Sequence, residues 1–298
     1  MANVLITGCS SGFGLLTAQT FARRCDQVFA TVRDLATAGA LRQVRDAEEL
    51  PISILQLDVR DAASIHSTVS AVLDNGSIDV LVNNAGYSLR GAVEEMDDDE
   101  LLQQFDTNVF GVVRMVRAVA PAMRAHGSGV IVNVSSIASC AALPFGGAYC
   151  ASKAAVNLLS ESLHYELAPF GVRVTVVEPG PYVTTQFLAN SVPGRNAGSA
   201  SPYDDLRASY QPTLRRLIAS GPADPQEVAD AIYDAALGES PRFRYVVGGI
   251  ARQLAQERQR GEFEEFEHHF RSMLDWWVGA RDASLATATL PAGRGGSA

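Results

Sequence analysis

The fold is decided by a stretch near the start of the chain, Val4-Leu5-Ile6-Thr7-Gly8-Cys9-Ser10-Ser11-Gly12-Phe13-Gly14. Its first residues form a short apolar run, which is consistent with a buried strand. A helical pattern follows from Leu15 to Cys25. Strand, glycine-rich turn and helix form the first half of a dinucleotide-binding βαβ unit, in which the backbone approaches a pyrophosphate at the helix N-terminus. Glycine is common in turns of every kind, so a glycine-rich turn alone is weak evidence. Its position directly after the first strand is what indicates a dinucleotide-binding motif.

The end of the second predicted strand, Val28 to Val32, is where such a unit meets the adenosine ribose. Arg33 and Asp34 follow this strand directly. A guanidinium there suits the 2′-phosphate of NADP, whereas a lone acid would accept the 2′-hydroxyl of NAD. The alternative is a solvated Arg33 with Asp34 capping the next helix. We expect NADP(H) to be preferred over NAD(H), with Ser10 and Ser11 as further hydroxyl donors.

Apolar runs and helical patterns continue to alternate along the chain. Further strands are predicted at 52–57, 80–82, 129–136, 172–178 and 243–247, and helices at 61–73, 97–126, 147–168 and from Asp224. The alternation predicts an α/β fold, a Rossmann-type doubly wound parallel sheet with helices on both faces. Ligands bind at the carboxyl ends of such strands. Asp58, Asn84 to Gly86, Ser136 and Pro179-Gly180 all fall at strand ends.

Tyr149 and Lys153 are four residues apart in a predicted helix, which places them on one face, one turn apart. Such a pair often reports only neighbouring surface residues. Lys153, however, is the only lysine of the chain, and lysine and arginine are chemically not interchangeable. A nearby ammonium favours the phenolate form of a tyrosine. With the Ser136 hydroxyl holding a carbonyl oxygen, these are the parts for reducing a carbonyl or oxidising an alcohol.

Asn108 lies in the middle of the predicted helix 97–126, although asparagine is a mediocre helix former. It could simply face solvent. A functional role would require its carboxamide or backbone carbonyl to lie in a local distortion of the helix, where it could hold a water.

Composition limits the class of protein. The 298 residues carry a formal charge of −9 and 47% hydrophobic residues, typical of a soluble globular protein, and the acidic balance argues against nucleic acid as a main partner. The four cysteines have no metal-ligand or CxxC spacing, so we expect no metal and reduced thiols in the cytoplasm. No signal peptide and no membrane-spanning run is visible.

The C-terminal part is less regular. We expect one Rossmann domain over 1–250 with an irregular substrate loop at about 184–222, a helical extension over 251–282 and a flexible tail over 283–298. The extension contains an aromatic stripe that includes Trp277, next to Trp276, and His268-His269 in it is expected to face solvent. Such a stripe is most often packed against the protein body or a partner subunit.

Together these motifs resemble the classical short-chain dehydrogenases/reductases over residues 3 to 187. Thr7-Gly8-x-x-x-Gly12-x-Gly14 resembles the cofactor motif, and Asn83-Asn84-Ala85-Gly86 the sheet-stabilising motif. The segments 30–35 and 143–153 are similar to members that act on 17β-hydroxysteroids and retinol. The resemblance implies NADP(H), a bulky apolar carbonyl or alcohol substrate, and a homodimer or homotetramer formed through the helices with Asn108 and Tyr149.

The resemblance also implies roles for individual residues. The expected catalytic residues are Asn108, Ser136, Tyr149 and Lys153. The expected cofactor-binding residues are Gly8, Ser10, Ser11, Gly12, Phe13, Gly14, Arg33, Asp58, Val59, Asn84, Ala85, Gly86, Tyr149, Lys153, Pro179, Gly180 and either Thr184 or Thr185. The expected substrate-binding residues are Ser136, Leu143, Phe145 and Tyr149. Alternatives are a cofactor-binding sensor without turnover and an epimerase or dehydratase on the same fold.

Overall fold

The computed structural model describes residues 1–182, 185, 187, 191–195, 201–219 and 224–274, except the side chains of 217–219 and 273–274. The strands are β1 (Asn3–Ile6), β2 (Gln27–Val32), β3 (Ile52–Gln56), β4 (Val80–Asn83), β5 (Leu89–Arg90), β6 (Gly129–Val134), β7 (Val172–Pro179), β8 (Val192–Pro193) and β9 (Arg244–Val247). The helices are α1 (Gly12–Arg23), α2 (Gly39–Glu48), α3 (Ala62–Leu73), α4 (Asp98–Phe105), α5 (Gly111–His126), α6 (Gly147–Leu167), α7 (Asp204–Ala219), α8 (Gln226–Leu237), α9 (Gly249–Arg260) and α10 (Phe263–Leu274).

The main sheet has seven parallel strands in the order β3-β2-β1-β4-β6-β7-β9. The chain winds outward from β1 in one direction through β2 and β3, then returns to the other side of β1 with β4. At such a switch point the helices that follow the two central strands leave on opposite faces, and a crevice opens between them. The prediction of a doubly wound parallel sheet is therefore confirmed.

Alternation along the strands creates two cores, one on each face of the sheet. On β1, Val4 and Ile6 join the cluster that packs against α1 and α8, whereas Leu5 joins the cluster that packs against α3, α5 and α6. Because successive side chains of a strand point to opposite faces, a continuous apolar run is what a strand buried on both faces requires.

The carboxyl ends of the strands carry a third cluster, formed by the C-terminal part of the chain. Tyr210 of α7, Leu254 of α9 and Phe266 and Phe270 of α10 pack together with Ile137, which follows β6. Phe266 and Phe270 of the predicted aromatic stripe therefore pack against the body of the protein, whereas Phe263 is 54% exposed. Trp276, Trp277 and the predicted tail 283–298 lie outside the described residues.

Three predictions of secondary structure need correction. The helical extension expected over 251–282 contains two helices, α9 and α10, because the chain turns out of helical geometry at Gly261. The insertion expected to be irregular contains α7, a 16-residue helix with Pro212 inside it. Helix α2 was not predicted from the sequence, and only its Leu41 is buried. Packing of Tyr210 against the third cluster supports α7 where local sequence signals are weak.

Candidate active site

The glycine-rich turn between β1 and α1 is closely packed at Gly8 and Gly14, where no side chain fits. Gly8 has φ of +75°, and a Cβ there would lie 2.9 Å from Ala85 Cα. A Cβ on Gly14 would lie 2.3 Å from the Gly8 carbonyl oxygen. These positions leave the backbone bare at the N-terminus of α1, where the helix dipole favours an anion. The turn therefore fits the pyrophosphate of a dinucleotide.

Residues at the end of β4 hold this turn in place. The Asn84 side chain donates hydrogen bonds to the carbonyl oxygens of Thr7 and Gly8, at 2.9 and 3.0 Å. In return the Thr7 hydroxyl accepts from the backbone N–H groups of Asn84 and Ala85, both at 3.0 Å. The two strand ends are thus fixed to each other by four hydrogen bonds. Ser11 caps α1 in extended geometry, without a hydrogen bond from its side chain to the helix among the described residues.

Two arginines lie at the end of the site where the adenosine of the cofactor is expected to bind, which we call the adenosine end. Arg33 is exposed and lines the cavity described below, while Asp34 accepts a hydrogen bond from Ala36 N–H and so caps the following turn, as the alternative reading held. Asp58 is bound through both oxygens by Arg60, with the closer contact at 2.9 Å. The hydrogen bond from Arg60 holds the pKa of Asp58 below its usual range. Sequence reasoning missed Arg60, whose position two residues after the strand-end acid was the available signal.

The structure places Tyr149 and Ser136 beside each other in the wall of the cavity described below. Ser136 follows β6, and its oxygen also accepts from Ala138 N–H at 3.1 Å. Burial raises the pKa of Tyr149, and the hydrogen bond with Ser136 acts against that rise. The cost of a charged phenolate in a covered site dominates this shift, and the expectation that Lys153 lowers the pKa of Tyr149 stays a prediction.

Lys153 lies one helical turn from Tyr149 and is 5% exposed. Its Nζ donates to the Val134 carbonyl oxygen at 2.8 Å and lies 5.9 Å from the centroid of the Tyr149 ring. Burial lowers the pKa of Lys153 to about 8. A Cβ on Gly86 would lie 3.7 Å from Nζ, so the end of β4 also approaches this lysine closely.

Asn108 does not face solvent. It is 1% exposed and lies in a π-helical segment, Asp106–Phe110, between α4 and α5. Its Oδ1 accepts from Tyr87 N–H at 3.1 Å, and its Nδ2 donates to the Tyr87 carbonyl and to the Ser152 hydroxyl, at 3.0 and 3.1 Å. The helix carries the local distortion that a functional Asn108 requires, and the side chain itself ties the end of β4 to α6. Sequence reasoning missed Ser152, the neighbour of Lys153.

The segment after β7 closes the cavity from the other side. Gly180 N–H donates to the Val247 carbonyl oxygen at 2.9 Å. Thr185 is buried and its hydroxyl donates to the Tyr182 carbonyl at 2.9 Å, whereas Thr184 lies outside the described residues. Sequence reasoning missed Tyr182, whose hydroxyl donates to Glu227 at 2.8 Å and whose ring meets Phe13 edge-on.

Leu143 and Phe145, two of the four expected substrate-binding residues, have different positions. Leu143 lines the cavity. Phe145, with φ of +59°, packs its ring against Tyr203 and Tyr210, with centroids 6.4 and 5.8 Å away. A further aromatic residue, Phe187, approaches Tyr149 instead, with 5.5 Å between ring centroids. The predicted substrate loop gave no signal that would have selected Phe187.

One cavity of about 830 Å³ connects these groups. It runs from the glycine-rich turn and Arg33 past Asn84, Ser136, Tyr149 and Lys153 to an apolar wall. That wall is formed by Ile137, Leu143, Phe187, Leu214, Ile250 and Leu254. Among the described residues no group of His, Cys, Asp and Glu side chains is arranged to hold a metal ion. The helices that are described include none with the length and apolar character needed to span a membrane.

The glycine-rich turn, Tyr149, Ser136 and the buried Lys153 thus line one cavity at the strand ends of a doubly wound sheet. The model of the protein family described as short chain dehydrogenase matches residues 2–196 of this chain. The chain is 40% identical over 281 residues to an uncharacterized oxidoreductase of Bacillus subtilis, covering 91% of this chain and 93% of that protein. It is 37% identical over 258 residues to human 17-beta-hydroxysteroid dehydrogenase type 1, covering 81% and 76%.

Solved structures agree with the sequence comparison. A short-chain dehydrogenase from Streptomyces avermitilis matches with a TM-score of 0.75 and 35% identity, over 91% of this chain and 98% of that one. The protein belongs to the short-chain dehydrogenase family and is an oxidoreductase of that family.

Proposed function

We propose that this enzyme transfers a hydride between NADP(H) and a hydrophobic ketone or aldehyde, or a secondary alcohol in the reverse direction. The observation that carries the proposal is that Tyr149, Ser136 and Lys153 line the same cavity as the glycine-rich turn. A sensor without turnover would have no need of a proton donor at that point.

The cofactor fits the residues that the sequence predicts for it. The bare backbone at Gly8, Gly12 and Gly14 would hold the pyrophosphate, and Asp58 and Val59 would face the adenine. Pro179, Gly180 and Thr185 line the opposite end, where the carboxamide of the nicotinamide would bind. When bound, the nicotinamide supplies or accepts the hydride.

The preference for NADP(H) rests on Arg33. It is exposed at the adenosine end, and no ion pair or hydrogen bond from its side chain occurs among the described residues, so its guanidinium can meet a phosphate. Arg60 lies in the same wall but is occupied by Asp58. A serine dehydrogenase of similar structure holds NADP+, and a 3-ketoacyl-(acyl-carrier-protein) reductase holds NADH, so the fold alone does not decide the cofactor.

In carbonyl reduction, Tyr149 donates the proton to the substrate oxygen while Ser136 donates a hydrogen bond to the same oxygen. The raised pKa of Tyr149 keeps its proton in place at neutral pH. Lys153 acts through its charge, which stabilises the phenolate formed as the proton leaves, and through contact with the nicotinamide ribose. Asn108 acts as a positioning residue, with its backbone carbonyl available to order a water that returns a proton through Lys153.

The substrate class follows from the apolar wall opposite Tyr149. Leu143, Phe187 and Leu254 offer no hydrogen bond to a polar body, whereas they would cover a ring or a chain. Human 17-beta-hydroxysteroid dehydrogenase type 1 and bovine retinol dehydrogenase 8, both similar to this chain, are named for substrates of that kind.

Two further features complete the proposal. Exposed Leu102 and Phe110 on one helical stretch, and Leu158 and Tyr165 on α6, offer apolar surface for a homodimer or homotetramer. All four cysteines are free thiols, as a cytoplasmic protein requires.

The test is cofactor oxidation by the purified protein with NADPH and NADH in parallel, against hydrophobic ketones, aldehydes and quinones. We expect faster turnover with NADPH, and we expect Arg33→Ala to lower the ratio of kcat/KM for NADPH over NADH by about 10-fold or more. Arg42→Ala, an arginine on exposed α2, serves as the control. Equal use of both cofactors by the parent enzyme would overturn the NADP preference. Saturable cofactor binding without turnover would support the sensor alternative.

A further inference from the structure

A cationic side chain that the proposed mechanism does not use lines the substrate end of the cavity. Arg90 is in the short strand β5, and its neighbour Leu89 is buried against Met96 and Ala148. Successive side chains of a strand point to opposite sides, so Arg90 points away from that cluster, and its side chain lines the cavity instead.

The backbone around Arg90 is fixed on both sides. Its carbonyl oxygen accepts from Gly194 N–H at 2.7 Å, and Gly91 N–H donates to the Phe145 carbonyl at 3.0 Å. Strand β5 pairs with β8, with Arg90 opposite Pro193. The guanidinium therefore extends from an anchored segment and not from a free surface loop.

The guanidinium of Arg90 is half-buried and has no carboxylate partner among the described residues. Its side chain makes no ion pair or hydrogen bond there. Burial lowers the pKa of Arg90, and the nearby Tyr210 phenol acts in the opposite direction. The undescribed internal residues 183–184, 186, 188–190, 196–200 and 220–223 include no aspartate or glutamate. A guanidinium stays charged in proteins, and a half-buried charge without a partner is costly unless a ligand supplies one.

The other charges of the cavity lie elsewhere or have other partners. The carboxylates in its wall are Asp34 and Asp58, both at the expected adenosine end, where Asp58 is bound by Arg60. Lys153 is committed to the Val134 carbonyl beside Tyr149. At the substrate end, Arg90 is thus the ionic group that faces an otherwise apolar wall.

We propose that Arg90 binds an oxyanion of the substrate, so that the natural substrate is an amphipathic carbonyl or alcohol compound with an apolar body and a carboxylate. A guanidinium presents two parallel N–H groups that match a carboxylate. The inference rests on the proposed function, because it assigns a substrate class to the same cavity. It narrows that class from neutral apolar compounds to oxo acids and hydroxy acids with an apolar chain.

The first experiment measures binding and needs no turnover. Octanoate and octan-1-ol are titrated calorimetrically into the NADP+-bound protein. We expect octanoate to bind about 10-fold or more tightly than the alcohol. Arg90→Met removes that preference, and Arg90→Lys retains part of it as a point charge without the fork. Arg117→Met, which removes the same charge from the exposed face of α5, leaves the preference intact. Equal binding of the two probes by the parent protein, or equal effects of the Arg90 and Arg117 variants, overturns the proposal.

The second experiment measures turnover of 7-oxooctanoate and its methyl ester with NADPH. Arg90→Met is expected to lower kcat/KM for the acid by about 10- to 100-fold relative to its effect on the ester. Turnover of both compounds with no preference for the acid overturns the role of Arg90 and leaves the oxidoreductase proposal standing. Turnover of neither compound, with octanoate binding still dependent on Arg90, overturns the proposed reaction and leaves the anion site standing.

Discussion

Two regions of the cavity differ in whether their polar side chains have hydrogen-bonding partners within the protein. The cofactor half, from the glycine-rich turn to the end of β4, is closely packed and internally hydrogen-bonded through Thr7 and Asn84. The substrate half, formed by β5, the end of β7, α7 and α9, combines an apolar wall with Arg90. The first half is held by contacts between neighbouring strand ends, whereas the second is assembled from elements that lie far apart in the chain.

Removing the proton donor at the boundary of the two halves should have the largest effect. Tyr149→Phe is expected to lower kcat by about 10²- to 10⁴-fold, because general acid catalysis is lost. NADPH affinity should stay within about twofold. Tyr165→Phe, an exposed tyrosine of the same helix, is the matched control. A Tyr149→Phe enzyme with full activity would contradict the assigned role.

The substrate half depends on a buried ionic group behind its wall. Glu178 at the end of β7 is fully buried, binds Arg244 of β9 and accepts from Ser139 and Asn157. Glu178→Ala should lower the free energy of unfolding by about 3 to 5 kcal/mol, since the partner cation is left without its anion.

Urea unfolding measures that loss. Glu48→Ala, which breaks an exposed ion pair with Arg23, should cost about 1 kcal/mol or less. If the two substitutions cost the same, the buried pair does not hold β7 and β9 together.

A side chain introduced into the glycine-rich turn should disrupt the cofactor half by a steric clash. Gly14→Ala places a methyl group 2.3 Å from the Gly8 carbonyl oxygen, so the turn must move. We expect a loss of about 2 to 3 kcal/mol in stability and weaker NADPH binding, measured by thermal unfolding and fluorescence titration. Gly39→Ala meets nothing within 4 Å and should be neutral or slightly stabilising. Intact NADPH binding in Gly14→Ala would show that the turn adapts.

Enzyme activity should also depend on pH, because Lys153 lies where the two halves of the cavity meet. Burial lowers the pKa of Lys153 to about 8, so its charge is present below that pH and is lost as pH rises through it. The phenolate that forms on Tyr149 then loses its neighbouring cation. The kcat/KM for carbonyl reduction should fall about tenfold for each pH unit above 8, measured between pH 6 and 10. A flat profile up to pH 9 would remove Lys153 from the proton transfer.

The smallest effect is expected at the edge of the cofactor half. Asp34→Ala removes the side-chain cap on Ala36 N–H and should cost about 0.5 to 1 kcal/mol in thermal unfolding. The NADPH-to-NADH ratio should change far less than in Arg33→Ala. A larger change in that ratio for Asp34→Ala would move the cofactor preference from Arg33 to its neighbour.

The sequence located the residues of the expected cofactor half at strand ends, where the structure has them, because its signals are local. A glycine with positive φ beside a strand, or an arginine one residue after a strand end, carries its physical reason within a few positions. Gly8, Gly14 and Arg33 therefore fall where the motif places them. Tyr149 and Lys153 were found for the same reason, because helical spacing fixes their separation.

The sequence alone determined the strand–helix alternation, the family and the set of residues around the proposed reaction. Tertiary structure decided what those residues experience. The pKa of Tyr149 rises because packing covers the phenol, and Asn108 is held by Tyr87 and Ser152, which lie far from it in the chain. The position of Arg90 in the cavity wall likewise depends on the pairing of β5 with β8, which brings together residues far apart in the chain. Burial and long-range pairing depend on the whole fold, so no local pattern could show them.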